Sequence, residues 1–301
     1  MRYSHILDAF YTPLAITEDK LWEIHEFLHA KSAGEEVSED RIREIMAGRR
    51  EDGVDMVGRI AVVSVFGVIS QRVGLLGQAS GGVGAEALAA RLDGLVNDKT
   101  VKSILMVFDS PGGSVFGVTE LANKIAGYRG QKKVVGIADS IAGSAAYWLL
   151  SQTQEVNVTP GGQIGSIGVI AAHEDVSKRE EAKGRTTTLI TAGKYKGERS
   201  PYAPLSEDGK ADMQAKVDSY YGLFVGAVAR GRGVTEGKVK ADFGQGRMVT
   251  AKNAVALGMA DHVATLETVL KRMGADASGG GMGAVSPSQA TARARSIEVE
   301  A

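Results

Sequence analysis

The chain has 301 residues, 44% of them hydrophobic and 24% charged, enough for a sizeable core in one large or two smaller domains. A formal net charge of -1 gives no electrostatic reason to expect nucleic acid or an anionic membrane as partner. The absence of Cys excludes disulfides, a Cys nucleophile and thiolate metal sites.

The opening stretch MRYSHILDAFYTPLAITEDK has neither the basic start nor the continuous apolar run of a signal peptide. Apolar runs such as IAVVSVFGVI are too short to span a bilayer. The expectation is a cytoplasmic protein with no membrane span. Two amphipathic helices are predicted early. One follows Thr17, with Leu21, Ile24 and Leu28 on one face, and one follows Ser38, with Ile42 and Ile45. This arm either packs on the main body or gates a site; its composition fits both.

From about residue 57 short β-branched runs alternate with helical patterns. Strands are predicted at 59–69, 101–110, 132–139, 155–160 and 185–191, with helices at 84–98, 114–128 and 141–152 between them. That order implies a parallel sheet covered by helices, an α/β protein. A long amphipathic helix is predicted over 206–233, capped by Ser206 and carrying Met213, Val217, Tyr220, Tyr221 and Phe224 as a stripe. Beyond 274 the chain is rich in Gly, Ala and Ser without apolar period, the composition of a flexible tail.

Three stretches carry residue types that packing does not demand. DSPGGSVFG (109–117) places Pro111, Gly112 and Gly113 between a strand and a helix, where freed amides can face an anion; it also reads as a plain tight turn. DSIAGSAAYWLL (139–150) places Ser144 among small residues at the head of an apolar helix. Ser140 is the expected cap of that helix, which leaves Ser144 and the Ala145 amide available for nucleophile and oxyanion roles. TAGKYKGERSPY (191–202) sets Lys194 and Lys196 between Gly193 and Gly197, a pattern that a solvated loop also produces. His173 and His262 lack local support as a base for Ser144, whereas a lysine buried among apolar groups loses its proton and can serve.

Together these stretches resemble peptidase family S49. FDSPGGSV resembles its substrate-side glycine turn, DSIAGSAAYWLLSQTQEVNVTPGGQIGSIGVI its nucleophile helix and following Gly-Ser-Ile-Gly-Val turn, ITAGKYKGERSPYAPLSEDGKADMQ its base segment, and GRMVTAKNAVALGMADHV its closing segment. The resemblance implies Ser144 as nucleophile and Lys196, fourth in Gly193-Lys194-Tyr195-Lys196, as general base. It implies Gly112 on the substrate-side turn, Gly113 and Ala145 as oxyanion donors, and Ser166 as a partner orienting the lysine amine. The family often has Gly after the nucleophile; here Ala145 and Ala146 follow, and a backbone donor survives that change.

The implied fold is a ClpP/crotonase-like ββα spiral over 57–273, with an N-terminal helical arm (1–56) and a flexible C-terminal tail (274–301). A single protease unit, the arm and the tail look most like the phage capsid-assembly (prohead) proteases of the lambda C-protein kind. The implied activity is a serine endopeptidase without cofactor or metal, acting on scaffold, portal or its own tail, and a homo-oligomer. The alternatives are a soluble bacterial S49 peptidase that clears peptides, a crotonase-type acyl-CoA enzyme, and a catalytically dead procapsid component. The tail is expected to be trimmed by the chain itself between about residues 274 and 290. Intact-mass measurement of wild type and Ser144→Ala tests this: the variant keeps the longer C-terminus, and identical C-termini contradict the expectation.

Overall fold

The computed structural model describes residues 12–33, 53–72 and 82–275. The helix expected after Ser38 and nearly all of the tail lie outside the described residues. Among them, no helix is long and apolar enough to cross a membrane.

The fold is mixed α/β. Its centre is a parallel ladder of β3 (Ile60–Phe66), β6 (Ser103–Ser110) and β8 (Lys133–Gly143). The edges are β2 (Val54–Val57), antiparallel to β3, and β11 (Met248–Thr250), antiparallel to β10 (Gln163–Gly165). Alternation along β6 explains why its sequence is apolar throughout. Ile104, Met106 and Phe108 enter the main core, while Leu105 and Val107 enter a second cluster on the opposite face. That second cluster is closed by Val269, Leu270 and Met273 around helix α9 (Leu266–Arg272).

The main core is covered by α2 (Ala85–Asn97), α3 (Val118–Tyr128), α4 (Ala145–Leu150) and the second half of α6 (Glu207–Arg232). Buried Leu88 and Leu92 on α2, and Leu121 and Ile125 on α3, recur at helical spacing. Helix α6 begins at its expected cap, where the Ser206 hydroxyl accepts from the Gly209 amide, and ends at Gly233 in the left-handed conformation.

Several expectations are corrected. The arm is not purely helical: a short strand, β1 (Leu14–Ile16), precedes α1 (Glu18–Ala33). Three residues are too few to show a period. The helix expected over 141–152 is shorter, because β8 continues to Gly143 and α4 starts at Ala145. Ser140 is therefore a strand residue and not a helix cap; its hydroxyl donates to the Asp109 carboxylate at 2.5 Å. The strand expected over 185–191 is absent: those residues are exposed and adopt no regular structure.

β8 holds three neighbours by dividing its length. Val135–Ala138 pair with β9 (Glu155–Val158), and Ile141–Gly143 pair with β10. The change comes at Ser140, whose φ is 145°, and opposite it the β6–β8 register shifts between Phe108 and Ser110. Such a bulge re-aims the strand ends, and here both ends lead into the turns described below.

The end of α6 is tied to β9 through Asp261. Its carboxylate accepts from both Arg232 terminal nitrogens at 3.0 and 2.6 Å and from the Val156 amide at 2.7 Å. Burial alone would raise the Asp261 carboxyl, but the guanidinium and the amide outweigh it and hold the group below its ordinary value. A carboxyl lowered by folding stabilises the fold above its unfolded pKa of about 3.9, and that contribution is lost as pH falls through the folded value. Asp261→Asn is expected to cost about 1 kcal/mol at neutral pH, a figure discounted for the partial exposure of the carboxylate. The cost shrinks toward pH 3 in urea titrations, and a pH-independent difference would contradict this role.

Candidate active site

Ser144 stands between the last residue of β8 and the first of α4. Its backbone has φ 50° and ψ -115°, a combination that costs a non-glycine residue about 1–3 kcal/mol. The surroundings hold it there. Its amide donates to the Gly165 carbonyl at 2.7 Å, and its carbonyl accepts from Trp148 at 2.9 Å. Every residue of α4 is buried, so the helix cannot rotate to relieve the turn. Trp148 stacks on Phe224 of α6 with centroids 4.6 Å apart, and the Tyr147 hydroxyl donates to the Met259 carbonyl at 2.9 Å. Arg129 closes the other end of α4, donating to the carbonyls of Ser151, Gln152 and Thr153 and to Gly231 beside them.

The Ser144 side chain is fully buried and donates to the Gly168 carbonyl at 3.3 Å. Ala145, as the first residue of α4, has an amide with no acceptor inside the helix.

The glycine turn packs directly against this point. Strand β7 (Gly112–Ser114) follows Pro111 and lies between β1 and β4 (Ile69–Ser70), with β5 (Val83–Gly84) beyond, in a second, 4-stranded sheet. Gly112 has φ 98°, and a Cβ there would run into the Ala15 carbonyl, the Gly143 carbonyl at 2.8 Å and the Ala145 nitrogen at 2.9 Å. A Cβ on Gly113 would collide with the backbone of Ile69. Gly112 thus lets the Ser144 turn and Ala15 approach the strand, and Gly113 lets Ile69 approach it, a close-approach role in addition to turn formation.

The other expected residues are placed as follows. Ser166 is buried just after β10, in a left-handed conformation with φ 52°, and its amide donates to the Arg247 carbonyl at 2.9 Å. Lys196 lies in an exposed turn whose amide bond runs back to Gly193, so the burial expected for it is not met within the single chain. The reason is that the described residues leave its segment largely uncovered: Ile190 is 96% exposed and Leu189 is 52% exposed. Lys194 lies over the ring of Tyr195, 4.7 Å from its centre. His173 faces the Ser200 carbonyl at 3.1 Å, and His262 is exposed on the short strand β12 (His262–Val263).

Three contributors are given no role at the site by the sequence reading. Buried Ser110 donates to the Gly67 carbonyl at 2.6 Å and accepts from the Gly112 amide at 3.2 Å, pinning the glycine turn from beneath. Gly168 receives the Ser144 hydroxyl. Thr17 of the arm reaches the site, donating its amide to the Pro111 carbonyl at 2.9 Å. Only Ser110 was legible in principle, as the polar end of an apolar strand entering a Pro-Gly-Gly turn.

The model of peptidase family S49 matches residues 127–278, half of the chain and the half that includes Ser144. The chain belongs to peptidase family S49. Its relatives include capsid assembly protease C of Escherichia phage lambda, 31% identical over 215 residues, 71% of this chain and 48% of the relative. Head-tail preconnector protein GP5 of Enterobacteria phage P21 is 30% identical over 222 residues, 73% of this chain and 44% of the relative. A putative protease of Synechocystis sp. is 32% identical over 172 residues, 57% of this chain and 62% of the relative. The chain thus spans less than two thirds of the length of these curated relatives. Membership of this peptidase family favours peptide hydrolysis over the acyl-CoA alternative.

The tightness at Gly113 sets an expectation for stability. Gly113→Ala, which drives a methyl into the Ile69 backbone, is expected to destabilise by about 1–3 kcal/mol. Gly94→Ala, in α2 with open space around its Cβ, is expected to stabilise by about 0.5–1 kcal/mol. Urea denaturation midpoints check both, and similar midpoints for the two variants would contradict the packing described.

Proposed function

We propose that this S49 chain is a serine endopeptidase using a Ser144–Lys196 dyad. The observation that carries this reading is the strained Ser144 at a strand-to-helix turn, the mechanical arrangement that sets a hydroxyl beside the Ala145 amide, which has no acceptor inside its helix. The Ser144 Oγ attacks the scissile carbonyl carbon as the neutral Lys196 amine takes its proton. The Gly113 and Ala145 amides receive the oxyanion, and Gly112 and Gly113 supply the substrate-side backbone. Collapse expels the amine product, which takes the proton from the Lys196 ammonium. Water, deprotonated by the same lysine, then attacks the acyl-enzyme and releases Ser144. Ser166 orients the lysine amine.

A cleft of about 420 Å³ borders Gly168, whose carbonyl accepts from Ser144; its walls mix apolar Ile167, Val169 and Val217 with Asp218, Lys240 and Gln245, which supports room for a substrate beside the serine and no apolar preference. The exposed Lys196 segment favours a homo-oligomer, in which a second chain covers Leu189 and Ile190 and supplies the burial a lysine base needs. The reading includes a ClpP/crotonase-like spiral over 57–273, an arm over 1–56 and a tail over 274–301.

Two relatives are named for capsid assembly and for a head–tail preconnector. They support a role in phage procapsid maturation in the host cytoplasm, with scaffold, portal or the chain's own tail as substrate. The 32% identity to the Synechocystis putative protease favours a second reading, a peptidase that degrades peptides. Neighbouring portal and major capsid genes would favour the first reading.

Labelling with a fluorophosphonate followed by peptide mapping tests the dyad. The label is expected on Ser144. Ser144→Ala and Lys196→Ala are expected to lose about 10⁴-fold or more in peptide hydrolysis, while Lys194→Ala retains it. Hydrolysis by Ser144→Ala at the wild-type rate would overturn the assignment.

A further inference from the structure

β1 lies in the slot beside Ser144. It runs antiparallel to β7 in the register Leu14–Ser114, Ala15–Gly113 and Ile16–Gly112. On its other edge Leu14 exchanges both backbone bonds with Ile170, at 2.8 and 2.9 Å. Backbone groups alternate along a strand, so those of Ala15 face the opposite way, toward Gly113. The next residue of that parity confirms it, since the Thr17 amide donates to the Pro111 carbonyl. The Ala15 carbonyl therefore lies on the Gly113 amide, close enough that a Cβ on Gly112 would strike it. Ala15 is fully buried, as is Ser144.

An extended segment with a small residue centred on Gly113 and both edges paired is the binding mode of a peptide added to a sheet. The segment's own hold is modest. Apart from Ala15, its apolar contacts form a small cluster separate from both main cores: Ile16 and Leu21, with Leu14, Ile24, Val68 and Ile170 among the residues packed on them.

We propose that Leu14–Ile16 is a built-in pseudo-substrate: it fills the backbone cradle between β7 and Ile170, occupies the Gly113 amide and keeps the site closed until a peptide displaces it. This rests on the reading of Ser144 as nucleophile. The arm thereby acts as the gate that its sequence left open beside simple packing.

The test uses the full chain. Ile16→Glu removes the apolar grip, and Ala15→Pro removes the amide facing Gly113 while leaving the small cluster intact. Each is compared with wild type for binding of a fluorescent peptide of sequence TPLAIT and for fluorophosphonate labelling, with thermal melting to confirm folding. If the arm fills the cradle in at least nine molecules of ten, the opened variants bind the peptide about tenfold or more tightly than wild type, and the bound peptide slows labelling. Equal peptide binding by wild type and a folded opened variant overturns the proposal, whatever the labelling shows. Tighter peptide binding with no labelling of Ser144 in any form sustains the pseudo-substrate strand and overturns the nucleophile reading instead.

Discussion

The hydrogen bond from the Ser144 amide to the Gly165 carbonyl, 2.7 Å long, holds a backbone that the serine would not adopt on its own. It joins the end of β8 to the end of β10 at the point where the chain turns into α4. A strained residue persists only where its surroundings over-determine it. Here the surroundings are a buried helix anchored through Trp148, Tyr147 and Arg129 to α6 and to the Met259 region. The small residues around Ser144 follow from the same constraint. Larger side chains at Gly112 or Gly143 would push away the backbones that converge on the turn.

Two sheets meet at this point, and each brings a different component. The larger carries Ser144 on β8; the smaller carries the glycine turn on β7. The register shift opposite Ser140 lets both strands leave the ladder at the same level, so that both turns emerge side by side. Ser110 ties the glycine turn to the end of β3, one hydroxyl satisfying both Gly67 and Gly112. The proposed nucleophile and oxyanion donors are therefore built on rigid elements, whereas the proposed base is carried on an exposed turn. That division places the reactive hydroxyl under packing control and leaves the lysine to be positioned by whatever covers its segment. The strand Leu14–Ile16 adds a second dependence, because it already pairs with the backbone of the glycine turn from within the chain.

The alternation of β-branched runs with helical stripes was legible because burial on both faces of a parallel sheet demands apolar strands, and β6 is such a strand. The long helix α6 was legible from the Ser206 cap and the Gly233 stop, both local devices. β1 was not legible, since three residues between Pro13 and Thr17 show no period and their pairing with Gly112–Ser114 is set about a hundred residues away along the chain. The segment 185–191 misled in the opposite direction. Thr-rich β-branched composition favours a strand, but a strand needs an edge to pair with, and the described residues present none there.

The sequence by itself determined the α/β class, the family through its ordered motifs, and the candidate residues Ser144, Gly113 and Lys196. The class is a matter of composition and period; the family rests on several motifs in order, and the candidate residues are what that resemblance implies. Only the tertiary structure decided the conformation of Ser144, the true role of Ser140 as a strand residue bonded to Asp109, the exposure of Lys196 and the pairing of Leu14–Ile16 with the glycine turn. Each of these depends on which backbone approaches from elsewhere in the chain. Such an approach is governed by non-local packing and hydrogen-bond satisfaction, which no window of neighbouring residues encodes.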